Sequence, residues 1–225
     1  MVLSKKSLPE RSPVFMTEIS PVELLSVMRT RRSIRKFLAD PVADCDITAM
    51  IEAASWAPSG TNQQNWHFIV ARSAPVKKRL VQAVRQTIET MKEGIVSARA
   101  RTEFSSYSAY YTFFADAPVV VAVVKQPYES LARRIMKRYH LAQSEISTAD
   151  IQGASAAVEN MLLMAHARGL GACWMTGPLI ARPALENVLG IQSPDELMAL
   201  VPVGKPAVMP SAPVRKNVHE IIQWI

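Results

Sequence analysis

Residues 118–124 read Pro118-Val119-Val120-Val121-Ala122-Val123-Val124, five valines and an alanine behind a proline. A strand with one wet face alternates apolar and polar residues. This run does not alternate, so it predicts a strand buried on both faces. Such a strand needs cover on each side, and the flanking sequence offers helices for it. Downstream, Ser147 caps a helix over 147–168, with Asp150 three residues on and Ala154, Val158, Met161, Leu162 and Ala165 as its apolar stripe. Gly169 or Gly171 ends it in the left-handed conformation. The small residues Gly153 to Ala157 allow close helix approach.

Upstream, Ser20, Pro21 and Glu23 form a capping box for a helix that carries Leu24, Leu25, Val27 and Met28 and ends near Arg31. Asp44 or Asp46 caps a second helix through Ala54, with Ile47, Met50 and Ile51 on one face. Pro75 opens a third, with Leu80, Val84, Ile88 and Met91 at helical spacing. Trp66 to Ala71 reads as a buried strand. Ala172 to Thr176 and Leu197 to Val203 read as further strands, with a helix at Pro183–Leu189 between them. Few strands and long helices argue for α+β, with helices packed on one central sheet.

The length, 225 residues, suits one domain. Residues 1–19 read as an irregular arm, and 20–225 as the domain. Within it, 93–114 turns from polar to aromatic (Phe104, Tyr107, Tyr110, Tyr111, Phe113, Phe114) and reads as a mobile cover. The tail 208–225 carries Val218, Ile221, Ile222 and Trp224, which docking on a partner subunit would bury.

Composition narrows the function. The longest strongly apolar stretch, Ala115 to Val124, is broken by Asp116 and is too short to span a bilayer, so no membrane is expected. The first residues carry no apolar leader core, and two cysteines make no disulfide framework, so the cytoplasm is expected. The net charge of +7 suits anionic partners. Nucleic acid is not expected, since no recognition helix, zinc spacing or RNA-binding aromatic motif accompanies the charge. His67, His140, His166 and His219 are scattered, so neither a metal site nor a hydrolase triad assembles. Cys173 has no cationic neighbour placed by sequence and reads as core.

Two stretches suit a phosphorylated, flat ligand. Arg31-Arg32-Ser33-Ile34-Arg35 places three guanidinium groups and a hydroxyl at a helix end, where planar paired donors match phosphate oxygens. Ala57-Pro58-Ser59-Gly60-Thr61-Asn62-Gln63-Gln64-Asn65-Trp66 is a loop of uncharged hydrogen-bonders. Its polar residues either read a ligand's carbonyls and ring nitrogens or cap one another in a turn. Trp66 reads as core. Flavin mononucleotide (FMN) fits this donor set.

Four segments carry a family resemblance: Arg31 to Phe37, Ala57 to Asn62, Gly169-Leu170-Gly171-Ala172-Cys173-Trp174-Met175-Thr176-Gly177-Pro178, and Leu200-Val201-Pro202-Val203-Gly204-Lys205-Pro206. In this order and spacing the chain resembles the FMN-dependent nitroreductase superfamily. The resemblance implies an α+β fold with a central, mostly antiparallel sheet flanked by helices. It also implies an interlocked homodimer with two FMN sites, each built from both chains. Arg31 would meet the phosphate and Arg35 the flavin N1 and C2 carbonyl, with Ser33 in the same motif; Arg32 falls where the family varies. Pro58, Ser59 and Gly60, with Asn62 in the same loop, would line the ring from the partner. Trp174, Met175, Thr176 and Gly177 would run under the ring, with N–H donors near Thr176 and Gly177 aimed at N5. Arg215 and Lys216 would close over the phosphate; Lys205 ranks below Arg215. Lys92 lies in the region where some members add a flavin contact.

The implied activity is ping-pong. NADH or NADPH donates a hydride, and a flat electron-poor acceptor (nitroaromatic, quinone, flavin or enone) is then reduced. The protein supplies position and field rather than an acid–base residue. Alternatives are a non-catalytic flavin binder, or a member specialised for reductive dehalogenation, flavin fragmentation or azoline oxidation.

Overall fold

The computed structural model describes residues 19–141 and 148–225. The arm and the Ser147 cap, but for residue 19, lie outside the described residues. Among the described residues, four strands form one antiparallel sheet in the order β1-β2-β4-β3: β1 is Trp66–Ala71, β2 Val119–Lys125, β3 Gly171–Ala172 and β4 Glu196–Gly204. Every residue of β2 except Lys125 is buried, as its unbroken valine run requires. Its alternate side chains feed two separate cores. Val119, Val121 and Val123 face α2 (Asp44–Ser55) and α6 (Ala149–Ala167). Val120 and Ala122 face α3 (Ala74–Gly94) and α7 (Arg182–Leu189).

The long helix α6 buries Gly153, Ala154, Ala157, Val158, Met161, Leu162 and Ala165, the expected stripe. Gly169, not Gly171, takes the left-handed terminus, at φ 73°. Gly171 lies in β3 instead, where an added Cβ would stand 2.6 Å from Ile34 Cγ1. Helix α1 (Pro21–Thr30) starts at the expected capping box, with Ser20 Oγ accepting from the Glu23 N–H at 3.2 Å. None of its residues is buried.

Several expectations change. Neither Asp44 nor Asp46 caps α2; Ala43 holds that position, and both carboxylates sit in the first turn. Arginines claim them, Arg72 at 2.7 Å from Asp44 and Arg168 at 2.6 Å from Asp46. Strand β1 is an edge strand rather than a buried one, with only Trp66 and Ala71 buried. Strand β3 stops at Ala172. Beyond it only Met175 rejoins the sheet, exchanging hydrogen bonds with Leu200 at 2.9 and 3.0 Å. The segment read as a cover is part helix, α4 (Ala98–Ser108), and part 3-10 turn (Ala109–Asp116). Half of that turn is core: Phe114 is fully buried, and Tyr111 and Phe113 pack beside it. Helix α5 (Leu131–Arg138) was not anticipated; its run of cations hid its apolar spacing.

The exposed side of α1 borders an apolar groove of about 670 Å³, lined by Leu24, Val27, Trp56, Leu163, Met164 and Ala167 among others. The tail 208–225 is exposed along its whole length, Trp224 included.

Candidate functional site

Residues 31–38 carry the first half of the site. Arg31 closes α1, and the chain then runs extended along the end of the sheet. The Ile34 N–H donates to Ala172 O at 3.0 Å, the Leu38 N–H to Lys205 O at 2.9 Å, and the Ala207 N–H to Lys36 O at 2.9 Å. Ile34 is buried against Gly171. In extended chain, neighbours of an inward residue point the other way. Burying Ile34 therefore turns Ser33 and Arg35 outward.

They face a pocket of about 280 Å³ lined by Arg31, Arg32, Ser33, Arg35, Pro210, Ser211, Pro213 and Arg215. Guanidinium groups from the two ends of the chain thus meet in one place. No carboxylate is among its described lining residues. Arg31 has one counter-charge, Glu159 Oε1 at 3.4 Å from Nε. That approach is electrostatic only, because the buried Nε makes no hydrogen bond. Arg32 is committed to backbone, donating to Arg29 O at 2.6 Å and Arg31 O at 2.7 Å, so it caps the helix end.

Arg35 also borders a second cavity, of about 480 Å³. Its other walls are Tyr107, Tyr110, Tyr111, Phe113, Cys173, Trp174, Met175, Thr176, Gly177 and Pro178. Flat aromatic walls with few polar groups suit a planar ligand. Tyr107 and Tyr111 meet edge to face, with centroids 5.6 Å apart. The indole N–H of Trp174 is buried without a partner.

The local field is positive, and titratable neighbours register it. Burial first, then Arg31 and Arg32, holds His166 below its usual value. Burial pushes the Cys173 thiol up, against the pull of Arg35, a Ser33 hydrogen bond and Arg31. Cys173 is thus a neutral core thiol that lines the cavity, although sequence gave it no cationic neighbour. Burial, then Tyr107, raises the Tyr111 phenol.

The structure does not bring every expected residue here. Lys205 lines neither pocket and pairs with Asp40 at 3.4 Å. Its place at the end of β4 aims it at that carboxylate. Lys216 and Lys92 line neither pocket, and Lys92 pairs with Glu89 at 2.8 Å. Pro58, Ser59, Gly60 and Asn62 also stand apart from the arginines of their own protomer. Their loop packs on α6 and on residues 127–129. Gln63 Nε2 donates to Glu129 O at 3.1 Å and Asn65 Nδ2 to Pro127 O at 2.9 Å, and an added Cβ on Gly60 would strike Tyr128 at 2.7 Å. Part of the loop caps itself, with the Gln64 N–H donating to Ser59 Oγ at 2.9 Å. Thr61, Asn62 and Gln64 all hold positive φ, of 50°, 55° and 51°. Positive φ at three non-glycine residues stores backbone strain in this short loop.

Pro210, Ser211 and Pro213 were missed. The pairing of Pro206 with Phe37 and of Ala207 with Lys36 brings them there, and no local spacing signals it.

A family model described as Nitroreductase family matches residues 28–205. Iodotyrosine deiodinase of Drosophila melanogaster is 31% identical over 209 residues, covering 88% of this chain and 68% of that protein. A solved BluB-like flavoprotein of Clostridium difficile 630 superposes with a TM-score of 0.83 at 29% identity, covering 90% of this chain and 99% of that one. A Desulfovibrio desulfuricans protein, assigned as a nitroreductase and solved in complex with FMN, gives 0.66 at 27% identity, with 92% and 98% covered. This chain is similar to each of them.

Proposed function

The chain belongs to the Nitroreductase family, and from that premise we propose that it is an FMN-dependent oxidoreductase. It uses NADH or NADPH to reduce a flat, electron-poor acceptor by a ping-pong mechanism, and works as a cytoplasmic homodimer. The observation that carries this reading is the pair of joined pockets. Arg31, Arg32, Ser33, Arg35 and Arg215 converge on one, and Arg35 is shared with an aromatic-walled second.

The residues fit FMN. Guanidinium donors with no carboxylate among the pocket's described lining residues suit a phosphate dianion. The cavity next to it suits a planar ring. When bound, FMN supplies a carrier that takes a hydride from the nicotinamide and passes two electrons on.

The chain's own residues supply position and field. Arg31 and Arg215 would hold the phosphate. Arg35, at the shared wall, would stabilise negative charge on the bound ring. The Thr176 and Gly177 backbone would lie against it. Tyr107, Tyr110 and Phe113 would shape the space for the second substrate. The net reaction for a quinone Q is NAD(P)H + H⁺ + Q → NAD(P)⁺ + QH₂. For a nitroarene, the first two-electron step gives the nitroso compound and water.

The dimer reading rests on exposed apolar surface: the groove beside α1, and a tail that ends in Ile221, Ile222, Trp224 and Ile225. Surface of this extent calls for a partner. The loop of Pro58, Ser59, Gly60 and Asn62, remote from its own arginines, would line the partner's ring cavity.

The test is an absorbance spectrum of the purified protein, then anaerobic addition of NADH or NADPH. A flavin spectrum that bleaches with either donor supports the reading. A protein that takes up no FMN refutes it, and one that binds FMN without bleaching is a non-catalytic binder.

The 31% identity to iodotyrosine deiodinase favours a second reading, reductive dehalogenation. An iodoarene would take two electrons and a proton, with the carbon–iodine bond breaking to give the arene and iodide. Iodide release from an iodophenol by the reduced protein would select this reading; no release with rapid nitroarene or quinone turnover would reject it.

A further inference from the structure

We propose that Tyr111 is a positioning residue, and that its ring clamps the Gly177 backbone so that the aromatic arm and the Thr176–Pro178 segment move as one body. The proposal rests on the FMN reading, in which that segment lies against the ring, and adds to it a mechanical link to the acceptor's entrance.

The contact is close. A Cβ built on Gly177 would stand 2.5 Å from Tyr111 Cδ1 and 2.6 Å from Cε1. Gly177 has no positive φ, so backbone freedom is not what requires glycine there. Space is: only a residue without a side chain lets the phenol ring rest on the main chain. Both residues line the same cavity.

The segment is held from both sides. Behind it, Met175 and Leu200 exchange two backbone hydrogen bonds, at 2.9 and 3.0 Å. At its start the Leu179 N–H donates to Thr176 O at 2.9 Å, closing the turn in which Pro178 is buried. In front, the Tyr111 ring fills the space that a Gly177 side chain would enter.

The arm has a fixed end and a free end. Phe114, three residues beyond Tyr111, is fully buried and anchors it. Tyr107 and Tyr110 are 67% and 64% exposed at the cavity's rim. Tyr107 touches Tyr111 edge-on. Tyr111 is therefore the joint between a solvent-facing rim and the Thr176–Pro178 peptide. An acceptor that pushes Tyr107 aside transmits the displacement to Gly177 through its edge-on contact with this ring.

The test is a double-mutant cycle of Gly177→Ala and Tyr111→Ala, with Tyr111→Phe as the conservative variant. The apo-protein is read by thermal melting and the FMN-loaded protein by its visible spectrum and steady-state kinetics. We expect Gly177→Ala to lower the melting temperature and Tyr111→Ala to relieve much of that loss, a non-additive cycle. In the loaded protein both single variants shift the flavin band and lower kcat about tenfold with a smaller change in acceptor KM, as misplacement of a reacting group does. Tyr111→Phe keeps the ring and behaves as wild type.

Additive melts would overturn the proposal, as would a Tyr111→Phe variant as impaired as Tyr111→Ala. A cycle seen only in melting temperature, with spectrum and kcat unchanged, would reduce the contact to packing and sink the positioning role. The melting arm uses no cofactor, so failure of the FMN reading shows separately, as a protein that never turns yellow.

Discussion

Thr30 Oγ1 and His166 Nε2 stand 2.8 Å apart, and this contact ties the end of α1 to α6 directly behind the arginine pocket. The Thr30 hydroxyl already donates to Ser26 O at 2.7 Å, so its oxygen accepts from the imidazole and the proton sits on Nε2. Protonating the ring would place a third cation beside Arg31 and Arg32. Burial and those two arginines accordingly keep His166 neutral below its ordinary value of 6.5.

A pH dependence follows. The unfolded chain takes up this proton near the ordinary value, whereas the folded chain resists until lower pH. The unfolded state therefore binds more protons across that window, and stability falls as pH drops below the ordinary histidine value toward the folded one. The full contribution is present at neutral pH and above. Melting temperatures between about pH 7.5 and about pH 5 should show the loss, and His166→Gln, which keeps a nitrogen near Thr30, should flatten it. A bound phosphate beside Arg31 and Arg32 opposes their field, so saturating FMN should also reduce the slope. An unchanged slope in His166→Gln would assign the effect to other groups.

Removing a charge-assisted phosphate contact costs about 1.5–3 kcal/mol. Arg31→Ala and Arg215→Ala should each weaken FMN retention by roughly ten- to a hundredfold on that scale, read by titrating the apo-protein with FMN. Lys205→Ala is the control. Its ammonium pairs with Asp40 and lines neither pocket, so its affinity for FMN should stay within about twofold of wild type. Equal losses in all three variants would mean that general charge, not the pocket, holds the cofactor.

Lys125 joins β2 to α6 and β4. Its ammonium lies 3.2 Å from Asp150 and 3.1 Å from Glu196, and the Lys125 and Asp150 side chains are only 13% and 14% exposed. Lys125→Met removes the cation and leaves the largely buried Asp150 carboxylate without it. We expect a loss of about 3 kcal/mol, read by urea denaturation. Adding Asp150→Asn should restore part of the loss. A Lys125→Met protein as stable as wild type would show that water already satisfies both acids.

If the exposed tail and the groove beside α1 are covered by a second copy, replacing their apolar residues should split the assembly. Leu24→Glu or Trp224→Ser should shift the sedimentation of the wild-type protein toward that of a single chain. Wild-type protein that sediments as one chain would remove the dimer reading and leave the flavin reading to stand on the pockets alone.

Where local chemistry and tertiary demand agree, the sequence could be read directly. The Ser20–Glu23 capping box, the double-faced burial of Val119 to Val124 and the stripe on α6 each need only local spacing, and each appears as expected. The pairing of Arg31 with Arg215 was reached through family resemblance, and the folded chain brings them to one pocket. What stayed hidden depends on partners far along the chain. Lys205 looked like an anion ligand until Asp40 was placed beside it. Asp44 and Asp46 looked like caps until Arg72 and Arg168 took them. Tyr111 and Phe114 share one aromatic run, and nothing local separates the residue that lines a cavity from the one sealed in the core. Sheet edges are invisible in the same way, since β1 is apolar enough to pass for a central strand.

Because one guanidinium, that of Arg35, borders both chambers, mutational dissection of this protein has a built-in limit. If the arginine pocket holds the cofactor, changes at Arg31 or Arg215 would read as effects on its loading, and changes at Tyr107 or Tyr110 as effects on substrate choice. A change at Arg35 enters both ledgers at once, so selection for a new substrate would find that position pleiotropic and the tyrosine rim free to vary.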